Sequence, residues 1–240
     1  HVRWWRDYFG DLRLDQLTPE RIAQGLRHLE RSSDSPRVEY RSLATVNRYR
    51  SALSQMCAYA IDPLHWLKTN PVAATKKASE RGNQRDRVLT DAEELRLLEA
   101  CMEEDPQLHD FVLAALWTAC RAGELQRLRH GDIDYAAGTA EIHLTKNRSK
   151  RVIPIPPHVL ERIRRGRATP GTLVFRRPDG EPYDYAKPWR RALAAAGIED
   201  LRFHDLRHCA ATRYAKAGMS VRQLQDLLGH KTLAMVARYS

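Results

Sequence analysis

The spacing of apolar residues predicts that the first third of the chain is helical. Between Leu43 and Ile61, apolar side chains recur at helical spacing and form one stripe, which predicts an amphipathic helix. Thr18 followed by Pro19 predicts the start of an earlier helix, with threonine as the N-cap and proline at the first helical position. The opposite face of the Leu43–Ile61 helix is polar and includes Arg48. Such a face either binds phosphate groups or is only solvated, and the second reading is the commoner one.

A polar, basic stretch over residues 75–87 interrupts this pattern. It includes Lys76 and Lys77 and nearly lacks large apolar side chains, as is typical of a linker, and its charge would let it follow a phosphate backbone. The Thr90–Glu93 segment resembles a capping box, which predicts that a second domain begins there. The chain starts with histidine rather than methionine, so we expect it to be truncated at its N-terminus. The expected organisation is a helical domain over residues 1–80, a linker over 81–88 and a second domain over 89–240.

The apolar pattern of the second domain changes once from helical spacing to alternation, between Asp132 and Ile155. Short alternating segments lie in this range, and the sequences AAGT and NRSK between them have turn composition, so they predict a small antiparallel sheet. Pro154 has no amide hydrogen to donate, so its strand should lie at the edge of the sheet or end early. The expected fold class is mostly α with a small antiparallel β-sheet (α+β).

The charge of the chain points to a polyanionic partner. An excess of lysine and arginine gives a formal net charge of +10, which suits DNA, RNA or an acidic membrane surface but also an ordinary basic protein. No basic amphipathic helix with exposed aromatic residues is evident, and the longest apolar stretch, about Phe111 to Trp117, is far too short to span a bilayer. The composition therefore favours nucleic acid over a membrane.

Several common catalytic and metal-binding motifs are missing from the sequence. There is no glycine-rich phosphate loop, no HExxH, no GxSxG and no acidic cluster suited to magnesium. The cysteines, Cys57, Cys101, Cys120 and Cys209, are too scattered for a disulfide framework or a structural zinc site, and reduced thiols fit the cytoplasm. We therefore expect no metal and no cofactor, and a metal-dependent nuclease or polymerase is disfavoured.

Two cationic candidates lie in the first half of the second domain. Arg121 and Glu124 are three residues apart, so on a helix the carboxylate could orient the guanidinium, although an exposed ion pair has the same spacing. Lys146 lies at the tip of the predicted hairpin. A catalytic proton donor there would need its pKa, about 10.4 without perturbation, to be lowered by neighbouring cations. Its neighbours in the hairpin, Arg148, Lys150 and Arg151, carry the same charge.

The C-terminal part of the second domain supplies histidines and a tyrosine. His204 and Arg207 are three residues apart and share one face of a predicted helix, while His208 is read as structural and directed elsewhere. His230 follows a glycine that is expected to end a helix, and a last short helix capped by threonine is expected to carry Tyr239. Each feature alone is compatible with ordinary packing or capping.

Taken in order, these groups resemble the active site of the tyrosine recombinase (phage integrase) family. The matching series is Arg121, Lys146, His204, Arg207, His230 and Tyr239, with Glu124 in a supporting position. The resemblance covers residues 86–240, and the segment LATVNRYRSAL resembles the helical core-binding domain of the same family. Ala119 stands where the family more often has glycine, a difference that we expect to affect only packing. Family members usually continue past the position of Ser240 into a helix that docks on a neighbouring subunit, so that contact is in doubt here.

The resemblance implies an enzyme that breaks and rejoins DNA strands through a covalent link to Tyr239. Arg121, Arg207 and His230 would bind the negative charge that builds on the non-bridging phosphate oxygens during attack. No metal is needed for this task, because the cations are fixed side chains.

The remaining two groups would handle protons. His204 would accept the tyrosine proton or bind phosphate, and Lys146 would protonate the leaving 5′ oxygen. The product would be a 3′-phosphotyrosyl enzyme, which conserves the bond energy and allows rejoining without ATP.

The expected function is therefore a site-specific DNA recombinase or integrase. By the same resemblance, two domains clamp double-stranded DNA, and the subunits act as a homo-oligomer on DNA, from dimer to tetramer. Further contacts to DNA are expected from Arg48, Lys76, Lys77, Arg148 and Lys150. The nearest alternative is a type IB topoisomerase, a group that usually has lysine at the position of His204. The other alternative is a catalytically silent DNA-binding protein that keeps the fold.

Overall fold

The computed structural model describes residues 1–32, 40–80, 86–143, 150–164, 169–230 and 232–239. The chain divides into two compact units, His1–Gln84 and Arg85–Ser240. Each unit has a hydrophobic core of its own. The fold is mostly helical with one small antiparallel sheet, which confirms the predicted fold class.

The first unit is built from helices α1 (Val2–Phe9), α2 (Pro19–Arg31) and α3 (Leu43–Ile61), with 3-10 turns at Leu14–Gln16 and Pro71–Ala74. Helix α2 starts as predicted, because the Thr18 side chain accepts the Arg21 amide and Pro19 occupies the first helical position. Helix α3 has the predicted bounds. The fully buried Trp5 ties α1 to α3, since its indole nitrogen donates to the Tyr49 carbonyl at 2.8 Å.

The polar face of α3 is only partly exposed. Asn47 is buried, and its side chain donates to the Ala78 carbonyl at 2.9 Å and accepts the Ala78 amide at 3.0 Å. Arg50 donates to the carbonyls of Val72 and Thr75. This part of the face therefore holds the segment that follows α3, whereas Arg48 is exposed.

The second unit contains more helices and the sheet. Its helices are α4 (Asp91–Glu104), α5 (Pro106–Thr118), α6 (Ala122–Leu125), α7 (Pro157–Ile163), α8 (Ala186–Ala195), α9 (Asp205–Lys216) and α10 (Val221–Leu228), with 3-10 turns at His130–Asp132, Leu233–Met235 and Ala237–Tyr239. The predicted capping box at Thr90 and Glu93 is present at the start of α4. Helix α5 is buried on nearly every side because it packs against α4, α7 and α9, so it forms the centre of this unit.

The sheet of the second unit has the predicted antiparallel arrangement. In the described residues, β1 (Ile133–Asp134), β2 (Thr139–His143) and β3 (Lys150–Pro154) follow each other in the order β1-β2-β3. The strand that contains Pro154 lies at an edge and ends at that residue, as its missing amide hydrogen requires. Lys146 and Arg148 lie outside the described residues.

Ala119, directly after α5, has a left-handed backbone conformation with φ 55° and ψ 20°. Glycine adopts this conformation without the steric cost of a Cβ atom, which is about 1–2 kcal/mol for other residues. The expectation that alanine here affects only packing was therefore wrong, because the position constrains the backbone. The turn ends α5 and leads the chain to Arg121.

Among the described residues, no helix has the length and apolar character needed to cross a membrane. In the same part of the chain, no group of three or more histidine, cysteine, aspartate or glutamate side chains is arranged to hold a metal ion. The side chains of Cys57, Cys101, Cys120 and Cys209 are buried and form no disulfide.

Candidate active site

Arg121 and Glu124 form an ion pair at the start of α6. Arg121 precedes the helix as its N-cap, and its amide donates to Glu124 Oε2 at 2.8 Å. Its guanidinium Nη1 donates to Glu124 Oε1 at 2.9 Å. The Arg121 side chain is 40% exposed, whereas that of Glu124 is 4% exposed. The carboxylate is therefore a buried support that fixes a guanidinium with an accessible surface.

Arg151 is a second cation on the same carboxylate. It donates to Glu124 Oε1 at 3.1 Å and to Oε2 at 2.7 Å, and its Nε donates to the Leu227 carbonyl at 2.9 Å. Its side chain is 7% exposed. Burial opposes ionisation of Glu124, but the hydrogen bonds and charge of Arg151, with hydrogen bonds from Arg121, outweigh it and lower the pKa of Glu124 to about 2. Arg151 thus joins the sheet, α6 and the end of α10.

We expect Glu124→Gln to destabilise the protein by about 3 kcal/mol near pH 7, because Arg151 keeps its buried charge but loses its partner. The depressed pKa fixes the sign of the pH dependence: the contribution of Glu124 is complete above the ordinary value of 4.5 and is lost as pH falls towards about 2. Urea denaturation at a series of pH values measures the free energy of unfolding of the variant and of the wild type. The control is Lys150→Ala, which removes an exposed ion pair with Glu141 and should cost about 0–1 kcal/mol. Equal losses in the two variants would contradict the buried support.

Arg207 lies on α9, and its guanidinium is buried with a residue exposure of 3%. Nη1 donates to the Ala119 carbonyl at 2.6 Å, and Nη2 donates to the Leu228 carbonyl. Nη2 also lies 3.3 Å from His230 Nε2. Burial and the nearby charge of Arg121 lower the pKa of Arg207 to about 10, so the group stays protonated at neutral pH. Arg121, Arg207 and His230 are therefore gathered in one place.

The end of α10 places His230. Gly229 follows the helix with φ 61°, the left-handed C-terminal conformation that the sequence predicts. A Cβ atom there would lie 3.1 Å from Arg151 Nη1, so a larger residue would displace that guanidinium by a few tenths of an ångström. Gln225 accepts the His230 amide at 3.1 Å through its carbonyl and donates its side-chain amide to the His230 carbonyl at 3.0 Å. These bonds hold the histidine beside Arg207.

Tyr239 lies in the last 3-10 turn and packs, partly buried, on the core of the second unit. The expected capped helix is wrong in detail: two 3-10 turns replace it, and the Thr232 side chain makes no capping hydrogen bond. The tyrosine hydroxyl forms a hydrogen bond with Nδ1 of His208. The interpretation that His208 is directed elsewhere was therefore wrong. His208 is four residues after His204, one helical turn, and that spacing was the signal in the sequence.

His204 has a different environment from its predicted partner Arg207. It is exposed at the N-terminus of α9, where it is the N-cap, while Arg207 one turn later is buried. Its ring meets the ring of His208 edge to face, with centroids 5.6 Å apart. The structure thus brings His204, His208 and Tyr239 into one row of ring contacts.

The residues expected to contact DNA differ in their surroundings. Arg48 and Lys76 are exposed. Lys77 and Lys150 form ion pairs: Lys77 Nζ lies 3.8 Å from Glu80 Oε1, and Lys150 Nζ lies 2.6 Å from Glu141 Oε1. Lys146 and Arg148, both predicted to lie in the hairpin, are outside the described residues.

Known proteins are similar to this chain in sequence and in fold. The model of the phage integrase family matches residues 87–240. The shufflon-specific DNA recombinase of Escherichia coli is 32% identical over 200 residues, covering 82% of this chain and 51% of that protein. The integrase of Salmonella phage P22 is 26% identical over 275 residues, covering 100% of this chain and 69% of that protein. The chain therefore spans about half the length of the first relative and about two thirds of the second.

A solved structure shares the fold over nearly the whole chain. It is that of a lambda integrase tetramer bound to a Holliday junction, with a TM-score of 0.76 and 26% identity. The match covers 99% of this chain and 68% of that one.

Proposed function

Since the chain belongs to the phage integrase family, we propose that it is a site-specific DNA recombinase or integrase that cleaves and rejoins DNA through a 3′-phosphotyrosyl intermediate. The observation that carries the proposal is the gathering of Arg121, Arg207 and His230 from three separate segments around one position. Tyr239 belongs to the same unit, packed on its core. Converging cations in a unit that also carries this tyrosine suit a phosphodiester under attack by a phenol.

The cations stabilise the transition state by binding charge that grows during the reaction. Attack on phosphorus places extra negative charge on the non-bridging oxygens. The partly exposed guanidinium of Arg121 is held by Glu124, so it can bind an oxygen without first reorganising. Arg207 and the His230 Nε2 beside it supply the second part of the clamp. Their preorganisation comes from the backbone carbonyls that hold Arg207 in place.

The covalent step transfers a phosphoryl group between two oxygens. Tyr239 Oη forms a bond to phosphorus, the bond from phosphorus to the 5′ oxygen breaks, and the phenolic proton leaves to a base. Lys146 donates a proton to the departing 5′ oxygen, a role that rests on the family resemblance. A free 5′ hydroxyl, from the same or another strand, then attacks the phosphorus and Tyr239 leaves. The strand is thereby rejoined without ATP.

The proposed assembly is a homo-oligomer on double-stranded DNA in the cytoplasm. Support comes from the similar lambda integrase, whose solved structure is a tetramer on a Holliday junction. Residues 1–80 would form the core DNA-binding domain and 89–240 the catalytic domain, joined by a linker over 81–88. The exposed Arg48 and Lys76, with Lys77, Lys150 and Arg148, are the proposed contacts to the DNA backbone.

The test is recombination between two matched DNA sites, with adduct formation measured in parallel on nicked DNA under denaturing conditions. A recombinase gives both recombinant product and adduct. Relaxation of supercoils with adduct but without recombinants would favour a type IB topoisomerase. DNA binding without any adduct would favour a catalytically silent DNA-binding protein.

We expect cleavage to persist in excess EDTA, because fixed guanidinium and imidazole groups bind the charge on the phosphate. Covalent adduct on nicked DNA, quantified with and without EDTA, measures this. DNA binding is followed in the same samples by fluorescence anisotropy. Loss of cleavage with retained binding, restored only by magnesium, would contradict the proposed clamp.

We expect DNA affinity to fall steeply with salt, with a log–log slope of about −0.9 for each phosphate neutralised. Arg48→Ala and Lys76→Ala should each make the slope shallower by about that amount, because each removes one phosphate contact. Arg13→Ala is the matched control, since Arg13 is exposed but paired with Asp15. Anisotropy titrations over a range of salt concentrations give the slopes. A slope near zero for the wild type would contradict binding through the phosphate backbone.

A further inference from the structure

We propose that His208, rather than His204, accepts the phenolic proton when Tyr239 attacks phosphorus. The assignment rests on the proposed function, and it moves the role of base from His204, where the family resemblance allows it, to His208. The observation is the hydrogen bond between His208 Nδ1 and Tyr239 Oη. A base must lie within hydrogen-bond reach of the proton that it removes, and His208 meets this condition.

Both partners of this hydrogen bond are anchored in the second unit. His208 stands on α9 between two residues that fix the helix: Arg207 donates to the Ala119 carbonyl at 2.6 Å, and Cys209 Sγ accepts the Leu89 amide at 3.4 Å. Tyr239 follows the fully buried Val236, whose carbonyl accepts the Tyr239 amide at 2.9 Å. The two rings lie 6.0 Å apart between centroids. Their alignment therefore follows from the packing of the fold.

The chemistry requires one tautomer of the imidazole. Nδ1 accepts a proton only if the ring hydrogen is on Nε2, and a neutral imidazole is the prevalent form of ordinary histidine at pH 7. As Tyr239 Oη bonds to phosphorus, its proton passes to Nδ1 and His208 becomes an imidazolium. The 5′ oxygen leaves with a proton from the general acid. On rejoining, the imidazolium returns its proton to the phenolate, so the site ends as it began.

This assignment separates the roles of the two histidines. His204 is exposed at the N-terminus of α9 and its ring contacts the ring of His208. Of the two roles that the family resemblance offers, His204 keeps the binding of phosphate, for which an exposed imidazole at a helix N-terminus is suited. Two histidines one helical turn apart then have separate roles: His204 binds phosphate and His208 accepts the proton.

The experiment combines His208 variants with a ring-fluorinated tyrosine at position 239. Fluorine makes the phenol more acidic, so it ionises with less help from a base. His208→Ala should form adduct on nicked DNA about 10²–10⁴-fold more slowly than the wild type, with unchanged DNA affinity. Fluorotyrosine should recover most of that loss. His208→Asn, which keeps a polar atom near the position of Nδ1 but cannot take the proton, should be slow and recover in the same way.

His204→Ala is the matched control, and its slow adduct formation should not recover with fluorotyrosine. Recovery of His204→Ala in place of the His208 variants would make His204 the base and overturn the assignment. Wild-type rates in His208→Asn would also overturn it, because His208 would then only position the tyrosine. If the wild type itself forms no adduct, the proposed function fails and the assignment fails with it. If the wild type forms adduct and His208→Ala forms it equally fast, the assignment of His208 is wrong while the proposed function stands.

Discussion

Tyr239→Phe should bind DNA as tightly as the wild type and form no detectable covalent adduct, a loss on the order of 10⁴-fold or more. Phenylalanine keeps the ring that packs on the core of the second unit. It removes only the hydroxyl that bonds to His208 and that would attack phosphorus. Adduct is measured on nicked DNA under denaturing conditions, and affinity by anisotropy.

The matched control for this variant is Tyr214→Phe. Tyr214 is also a partly buried tyrosine of the second unit, and its hydroxyl donates to the Trp117 carbonyl. Loss of that hydroxyl should leave adduct formation intact. A denaturation-resistant complex formed by Tyr239→Phe would show that another residue is the nucleophile.

Lys146→Ala should be crippled on normal DNA, by about 10²–10⁴-fold, and largely rescued on DNA with a 5′-bridging phosphorothiolate. The 5′ oxygen is a poor leaving group that needs a proton, whereas sulfur at that position leaves without one. A lysine that acts as general acid is therefore dispensable on the sulfur substrate. Single-turnover cleavage of the two substrates measures the effect.

Arg121→Ala is the control, and it should stay slow on both substrates. Charge on the non-bridging oxygens needs its guanidinium whatever the leaving group. Rescue of Lys150→Ala or Arg148→Ala in place of Lys146→Ala would move the general acid to one of those residues. If no basic residue of the hairpin shows rescue, the hairpin only positions DNA and the proton comes from elsewhere.

Features that depend on neighbouring residues could be predicted from the sequence. The bounds of α3 follow from its apolar stripe, and the start of α4 follows from the hydrogen bonds that Thr90 and Glu93 exchange. The edge position of β3 follows from Pro154, which cannot donate to a further strand. In each case, a few adjacent side chains determine the backbone by themselves.

Contacts between distant segments could not be predicted in this way. Arg151 meets Glu124 across 27 residues, and Tyr239 meets His208 across 31 residues. A signal for the first contact exists, because strand alternation puts Arg151 on the same face as the buried Ile153. A charged side chain on an inward face needs a buried partner. The sequence does not say which carboxylate that partner is.

The left-handed turn at Ala119 could not be predicted from the alanine itself, although glycine, which the family more often has there, is the residue that favours such a turn. Alanine disfavours this conformation, and the turn lies between the end of α5 and the start of α6. Its consequence is functional, since the Ala119 carbonyl then accepts a hydrogen bond from Arg207. One backbone conformation thus helps to place a cation of the proposed clamp.

The most direct test of the central proposal is to identify the bond between the wild-type protein and DNA. Nicked DNA traps the intermediate, because the short fragment that carries the free 5′ hydroxyl diffuses away. Proteolysis with mass spectrometry then locates the residue that carries the attached nucleotide. We expect it on Tyr239, joined through a 3′ phosphate, with a free 5′ hydroxyl on the released fragment. A nucleotide on another residue, a link through a 5′ phosphate, or cleavage that leaves both ends free of protein would contradict the proposed mechanism.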